Sequence, residues 1–488
     1  MIDDEHLAEL SNESILSDEP TAVAGEPMFD RHDPAITADA ESSDTVGEQP
    51  PAAKPRSRRR KYVKRALLVV VVLLIPVTYS YVRALTGPGT DSLQARTVEW
   101  ARDNHLGGAV DRIEKYWYAH HQAKVGGTPT ANADQLNLPV NTAPVAVAPK
   151  PTNANPPSAP VAAPAVGAII SSSSPVSSGS TTNPASAATN PAPAATNAQP
   201  QAPAPGSPPR PALPAALVTP AATPVAQEGQ WSGIGQQLPD GRFGAYATLI
   251  RPDAVHSSVL DAVVWIDPSA LTLRQYPGTK IPGAPWDRPD FIEPDRQASL
   301  VAAFEGGFRL ADSNGGMFLG GAQLKPMRDG GATFAINADG VPNIGMWGRD
   351  FTSTAGLDSA RQNLDLIVDG GAVSPRLATD ANRTWGFTGP ANKDAVWRSG
   401  AGVTADGALI WVGGDGLSIQ TLADTLVRAG AVRGMQLDIN HEWVQFNTYT
   451  VDASGAVHGE KLLAAMQHSG SRYLSEDTRD FIAVFRRS

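Results

Sequence analysis

The carboxyl-terminal half of the chain predicts an α+β fold: a mixed β-sheet domain with few helices, preceded by a transmembrane helix and a long disordered linker. Strand–turn–strand patterns recur at 334–341, 402–411 and 448–457, where Asp339-Gly340, Asp406-Gly407 and Ser454-Gly455 supply the φ > 0 positions that hairpin turns need. Helical patterns are confined to three short stretches, 358–363, 417–429 and 461–468. Many hairpins with few helices argue for α+β rather than for alternating βα units.

From the amino end, the 488 residues carry a formal charge of −10 and no cysteine. Most of that charge lies in the first fifty residues, where fourteen acids face one Arg. Residues 1–53 therefore read as a disordered acidic cytoplasmic tail that says little about partners of the folded part. Without cysteine, disulfides and thiolate metal sites are excluded, and an ordinary core must hold the fold. Residues 54–85 join a basic flank to a transmembrane helix: eight cations from Lys54 to Arg65 stand directly before the uncharged run Ala66–Val82, 17 residues long. That length is at the short end of what spans a bilayer. A cleavable signal would sit nearer the amino terminus and end in a small-residue site, and a buried core helix would not follow eight cations. Cations on one side with Tyr79 and Tyr81 on the other match a single-pass anchor in the cell membrane, amino terminus cytoplasmic and carboxyl-terminal domain extracytoplasmic. The basic run alone also suits nucleic acid, but its place beside the span accounts for it, and no nucleic-acid partner is expected.

Residues 86–127 read as a juxtamembrane helical hairpin, capped by Asp91-Ser92, with Trp100 on its first helix, Gly107-Gly108 as the stop, and Val110, Ile113 and Trp117 on its second. It is too small to hold a core alone, and the sequence leaves open whether it docks on lipid headgroups, on a second copy or on the distal domain. Residues 128–228 are rich in Pro, Ala, Ser and Thr and nearly uncharged, the composition of an extended spacer that is either a passive tether or a stalk through a thick envelope.

The last segment, 229–488, is long enough for one well-buried domain. In it, three apolar strand-like runs end at an acid: Leu300–Phe304 at Glu305, Leu364–Val368 at Asp369, and Gly434–Leu437 at Asp438. If these strands are neighbours, the three carboxylates share one rim, as ligand-binding groups do at strand ends of open α/β sheets. Glu305 and Asp369 are each followed by two glycines, which is also plain turn chemistry; Asp438 has no glycine behind it. The residues after it, Ile439-Asn440-His441-Glu442-Trp443, set an amide, an imidazole, a carboxylate and an indole at the end of a strand–helix–strand unit. His441 has the pKa of a general acid near neutral pH, or it is a hydrogen-bonded structural histidine. Arg398, followed by Ser399, is the best-placed cation for phosphate oxygens; Arg309, Arg328 and Arg349 lie in Gly-rich loops and are as well read as solvated. No His-Glu-x-x-His spacing or Asp-rich calcium loop occurs, so neither a metal nor another cofactor is expected.

At these residues the domain resembles the phosphodiester glycosidase family. Glu305-Gly306-Gly307-Phe308 is similar to the family's Asn-Gly-Gly-Phe, with Glu for Asn. Arg398-Ser399 and Gly402 follow its Arg-Thr/Ser-Ala-x-Gly, with Gly400 where Ala is usual. Leu437-Asp438 begins its Leu-Asp-Gly-Gly-Gly-Ser, from which Ile439-Asn440-His441-Glu442 departs. The resemblance runs from Leu300 to Trp443 and implies hydrolysis of a sugar 1-phosphodiester. Carboxylates among Glu305, Asp369 and Asp438, assisted by His441, would act at the anomeric carbon. Gly306, Gly307, Arg398, Ser399, Asn440, Glu442 and Trp443 would hold the substrate.

The expected function is therefore a membrane-anchored, envelope-facing hydrolase whose partner is an envelope glycan or sugar-phosphate polymer. The alternative is a non-catalytic glycopolymer-binding or assembly protein, in which Trp347, Trp385, Trp397 and Trp443 stack on sugars. A metal-dependent phosphodiesterase ranks last, because the ligand spacing is missing.

Overall fold

Among the described residues, apolar alternation in the carboxyl-terminal half resolves into eighteen strands. The computed structural model describes residues 56–87, 89–129, 208–283, 286–380, 384–386 and 394–487; the acidic tail 1–53 and most of the spacer lie outside them. The strands begin with β1 (Ser232–Gln237), β2 (Phe243–Ile250), β3 (Asp261–Ile266), β4 (Leu271–Tyr276), β5 (Leu300–Glu305) and β6 (Met317–Leu319). Next come β7 (Ala322–Lys325), β8 (Ala332–Asn337), β9 (Pro342–Met346), β10 (Leu357–Gln362), β11 (Leu366–Asp369) and β12 (Ala372–Val373). The last are β13 (Val396–Thr404), β14 (Leu409–Leu417), β15 (Ala431–Gln436), β16 (Phe446–Val451), β17 (Val457–Lys461) and β18 (Phe481–Arg486). The helices are α1 (Arg56–Leu85), α2 (Leu93–Ala101), α3 (Gly107–His120), the single turns α4 (Pro294–Gln297) and α5 (Leu310–Ser313), and α6 (Ile419–Arg428).

The chain divides into two units, 1–71 and 72–488. Of the first, the described part is the opening half of α1. Among the described residues, one helix, Lys61–Leu85, is long and apolar enough to cross a membrane, and its large apolar side chains are exposed.

In the second unit the strands form three sheets with antiparallel neighbours. The largest has the order β1-β2-β3-β14-β13-β15-β11-β12; the others run β7-β6-β10-β8-β9 and β17-β16-β5-β18-β4. Ala245, Val264, Phe304, Phe334, Trp411, Met435, Phe446 and Val484, drawn from all three sheets, share one core. A second core covers the other face of the large sheet, where α6 lays Leu422, Ala423 and Leu426 on Val263, Ile410 and Val412. Full burial of each of these leucines contributes about 1.5–3 kcal/mol. A capping box starts α6: the Ser418 hydroxyl accepts from Thr421 N, and the Thr421 hydroxyl accepts from Ser418 N. Strands β14 and β15, joined by α6, run parallel with β13 between them, which is the strand–helix–strand unit legible in the sequence.

Two expected helices are not helical. Residues 358–363 fall mostly in β10, because it is the middle strand of its sheet and its polar side chains find buried partners, Arg361 on Asp480 and Gln362 on Gly316 N. Residues 461–468 turn sharply after β17: Lys461 Nζ donates to the carbonyls of Ala464 and Met466, and Leu462, Leu463 and Met466 enter the core. The helix stop expected at Gly107-Gly108 falls instead at Asn104 and His105, the latter with φ of 65°, and α3 begins at Gly107.

The juxtamembrane hairpin packs on the domain. Arg479 pairs with Glu99, Thr478 donates to Asp91 Oδ2, and Gln122 donates to Asp394. The two described flanks of the spacer also end on the domain: Ala123 N donates to Ala395 O at 2.9 Å and Gly126 N to Val255 O at 2.7 Å, while Ala212 N donates to Asp406 at 3.0 Å.

Candidate active site

The site forms where the large sheet and the sheet holding β5 open at one end. Because neighbouring strands are antiparallel, that edge collects the ends of β5 and β15 together with the start of β16 and the approach to β18. Phe446 lies opposite Phe304 and Phe481 opposite Glu305, so Gln445 and the pair Arg479-Asp480 flank Glu305. From the facing sheet, Ser399 of β13 pairs its backbone with Leu437 and Asp438: Leu437 N donates to Ser399 O at 2.8 Å and Ser399 N to Asp438 O at 2.9 Å. The Ser399 hydroxyl then spans the two sheets, accepting from Asp438 N and making a short hydrogen bond to Glu305 Oε1.

Glu305 and Asp438 are both buried but differ in surroundings. Glu305 accepts from Ser399 and from Gln445 N, with no cation in hydrogen-bond contact, and burial pushes its carboxyl up to about 8. Burial also raises Asp438, but Arg479 opposes that, donating to Oδ2 at 3.3 Å, as do the amides of Ile439 and Asn440, which donate to Oδ1 at 2.7 and 3.2 Å. At neutral pH the proton therefore belongs on Glu305, and Asp438 is the more readily ionised partner. Asp438 lies in a cleft of about 420 Å³ with Phe308, Arg309, Ile439, Trp443 and Arg479, closed on one side by Glu99 and Tyr118 of the hairpin. A larger cleft, about 900 Å³, lies around Arg274, Asn337 and Arg487 and contains none of these carboxyls, so the smaller one is taken as the site.

The protonation of Glu305 has a measurable consequence. Between its ordinary value near 4.5 and about 8, the unfolded chain ionises this residue while the folded chain keeps it protonated. Its contribution to stability thus falls as pH rises through that window. Glu305→Gln is expected to gain stability relative to wild type from pH 5 to pH 8 in thermal melts; a pH-independent difference would refute the assignment.

Beneath the cleft lies a fully buried pair. Arg361 Nε donates to Asp480 Oδ2 at 2.8 Å and Nη1 to Asn363 Oδ1 at 2.7 Å, while Nη2 also reaches Phe308 O. Asn363 in turn donates to the carbonyls of Gly306 and Leu437. Packing against this network explains both glycines of the Glu305 loop. A Cβ on Gly306 would lie 2.2 Å from Asp480 Oδ2, and one on Gly307, where φ is +109°, would lie 1.9 Å from Asn363 Nδ2.

Other expected site residues go elsewhere. Asp369 sits at the opposite edge of the sheet, because β11 is antiparallel to β15 and its end faces Arg433 near the start of that strand. There it turns through Gly370 and Gly371, both at positive φ, and binds Arg349 at 2.6 and 2.9 Å. The three-acid rim thus reduces to Glu305 and Asp438. Arg398 is fully buried on the α6 face, donating to Leu417 O at 2.8 Å, Gln436 Oε1 at 3.3 Å and Asp394 O at 3.4 Å, and it is not a lining residue of the cleft. His441 turns to Gln467 and the Trp397 ring, and burial holds its imidazole below the ordinary value. Asn440 lines the cleft and shapes the loop, its side chain accepting from Glu442 N. Glu442 lies 3.7 Å from His468, whose imidazole burial drives down to about 2. Trp443 stacks on His468 and carries the Arg479 guanidinium 3.9 Å above its ring.

Arg479, Asp480, Arg361 and Asn363 escaped sequence reasoning, as did Glu99 and Tyr118. The available signal was the charged string Asp477-Thr478-Arg479-Asp480 directly before an apolar run. It marks the start of a strand, which in an antiparallel sheet reaches the same edge as its neighbour's end.

Comparison with known proteins bears on this site. Residues 298–438 match the phosphodiester glycosidase family model. No curated protein matches. Among solved structures, the chain is similar to the catalytic domain of zebrafish N-acetylglucosamine-1-phosphodiester alpha-N-acetylglucosaminidase, described as auto-inhibited by its pro-peptide. That similarity has 14% identity over 52% of this chain and 87% of the other, with a TM-score of 0.35. A Synechocystis protein shows 13% identity over 53% of this chain and 62% of its own, TM-score 0.27. A Burkholderia pseudomallei protein shows 14% over 46% and 74%, TM-score 0.25. The segment that matches the family model begins just before β5 and ends on Asp438.

Proposed function

We propose that this chain is a membrane-anchored hydrolase of sugar 1-phosphodiester linkages in an envelope glycan, with its carboxyl-terminal domain outside the cell. The carrying observation is the position of Asp438 in a cleft, facing Arg479 and joined through Ser399 to the buried Glu305, inside the family-matched segment. The cations before Ala66 support the orientation.

In this reading the sugar C1 sits over Asp438. Arg479 and Arg309 hold the phosphate; one buried nitrogen of Arg309 has no hydrogen-bond partner among the described residues. The C1–O bond breaks with its electron pair leaving on phosphate, a weakly basic group that needs no protonation by His441. Ionised Asp438 stabilises the cationic C1 or bonds to it, and water then supplies the new hydroxyl while its other proton passes to the departing phosphate, yielding free sugar and a phosphomonoester. Glu305 is a positioning residue: by keeping its proton, it spares Asp438 a second negative charge nearby.

The purified full chain should release free sugar and phosphomonoester in equal amounts from a synthetic N-acetylglucosamine 1-phosphodiester or a related hexose ester, unaffected by chelator. Loss of release on chelation would favour a metal-dependent phosphodiesterase. Retention of intact polymer with no sugar released would favour the binding protein.

A further inference from the structure

The hairpin α2–α3 presents two unlike faces. On α3, Val110, Glu114 and Tyr118 follow one another at helical spacing on the inward side; Val110 and Tyr118 are buried, and the Tyr118 hydroxyl donates to Ile439 O. Glu114 and Tyr118 line the cleft. Ile113, Tyr116 and Trp117, on the flank of α3 beside that inward side, are 69%, 69% and 41% exposed, and Leu106 just before α3 is 49% exposed. Three large apolar or aromatic side chains along one flank of a helix, with a fourth just before it, are costly to leave in water.

The same hairpin is fastened to the outer end of the candidate span. The Trp100 indole donates to the Ser80 hydroxyl at 3.1 Å, and Tyr81 and Thr97 share a hydrogen bond at 3.0 Å. Tyr81 also meets the Trp100 ring edge-on at 5.0 Å. Arg96 grips the connector between α1 and α2, donating to the carbonyls of Leu85, Gly87, Gly89 and Asp91. Asp91 is held on the domain by Thr478 and Arg472. One helical position from Trp100, Glu99 enters the cleft on Arg479. The cleft is therefore tied to the end of the span through one short helix, not separated from it by the long spacer.

We infer that the exposed flank of α3, with Leu106, seats in the headgroup layer of the bilayer, and that the cleft takes a lipid-borne substrate, a sugar 1-phosphodiester whose other ester arm is a membrane-embedded chain. The occupant of this face is lipid because α2 of the same hairpin is hydrogen-bonded to the end of the span, beside an aromatic pair of the type that settles at bilayer interfaces. The substrate class rests on the hydrolase reading above; the seating of the hairpin does not.

Both parts are tested on the full chain in vesicles of phosphatidylcholine and phosphatidylglycerol. Because the chain has no cysteine, Ile113→Cys and Ser454→Cys each accept a single environment-sensitive fluorophore. The label at 113 should emit at shorter wavelength and be quenched by doxyl-labelled lipid, and the label at the 454 turn should do neither; equal behaviour at the two positions overturns the seating. The substrate class is read from wild-type release of sugar from a polyprenyl-linked and a methyl-linked sugar 1-phosphodiester with the same sugar. The polyprenyl ester should turn over at least tenfold faster. Replacing Ile113, Tyr116 and Trp117 by Ser should remove that preference and leave the methyl ester unchanged. Equal turnover of both esters by wild type, or equal loss on both in the variant, overturns the substrate class. Release from neither ester would refute the hydrolase reading itself, and the fluorescence result would still decide the seating.

Discussion

Asp438→Asn should reduce sugar release by roughly 10³-fold, the scale of losing a well-placed catalytic carboxylate. The amide preserves much of the local structure. Its oxygen still accepts from Ile439 N and Asn440 N, the two hydrogen bonds that shape the loop, and Arg479 keeps Glu99 and the Trp443 ring. What disappears is the negative charge that would face C1. The loss should therefore appear in kcat with KM little changed, and the circular dichroism of the variant should match wild type. Wild-type turnover in Asp438→Asn would remove Asp438 from the chemistry and leave the cleft as a binding site.

The largest stability effect should come from Asp480→Ala. Asp480 and Arg361 are each about 1% exposed and bonded through two hydrogen bonds, so the substitution strands a guanidinium with only Asn363 and backbone carbonyls for company. Breaking a buried pair in this way costs about 3–5 kcal/mol. That is a large part of the roughly 5–15 kcal/mol holding an ordinary domain. Urea unfolding should show the loss as a lower midpoint, and Arg361→Met combined with Asp480→Leu should recover much of it, since no charge is then left unpaired. A wild-type midpoint for Asp480→Ala would mean that water reaches this pair.

Part of this site was legible in the sequence. Asp438 stood out because an apolar run ended at a carboxylate with no glycine to explain it as a turn. The sequence reading groups Ser399 with Arg398 as substrate-holding residues, yet alternation along β13 sends the two to opposite faces: Ser399 to the carboxyls, Arg398 under α6. Gly306 and Gly307 were read as freedom to turn. Their closer reason is the lack of room beside Asp480 and Asn363, residues far away in sequence. Asp369 also ends an apolar run, and the direction of its strand carries it to the opposite edge of the sheet.

By itself the sequence determined which segments are apolar, where the chain turns, that a candidate span precedes the domain, and which carboxyls end strands, because these depend on local composition and periodicity. The tertiary structure decided which strand ends meet. Sheet order and direction are set by non-local burial, so a residue's partner across the sheet leaves no mark beside it in the chain. The same holds for the hairpin: its amphipathic pattern is visible in the sequence, but only the fold shows that Glu99, Glu114 and Tyr118 wall the cleft.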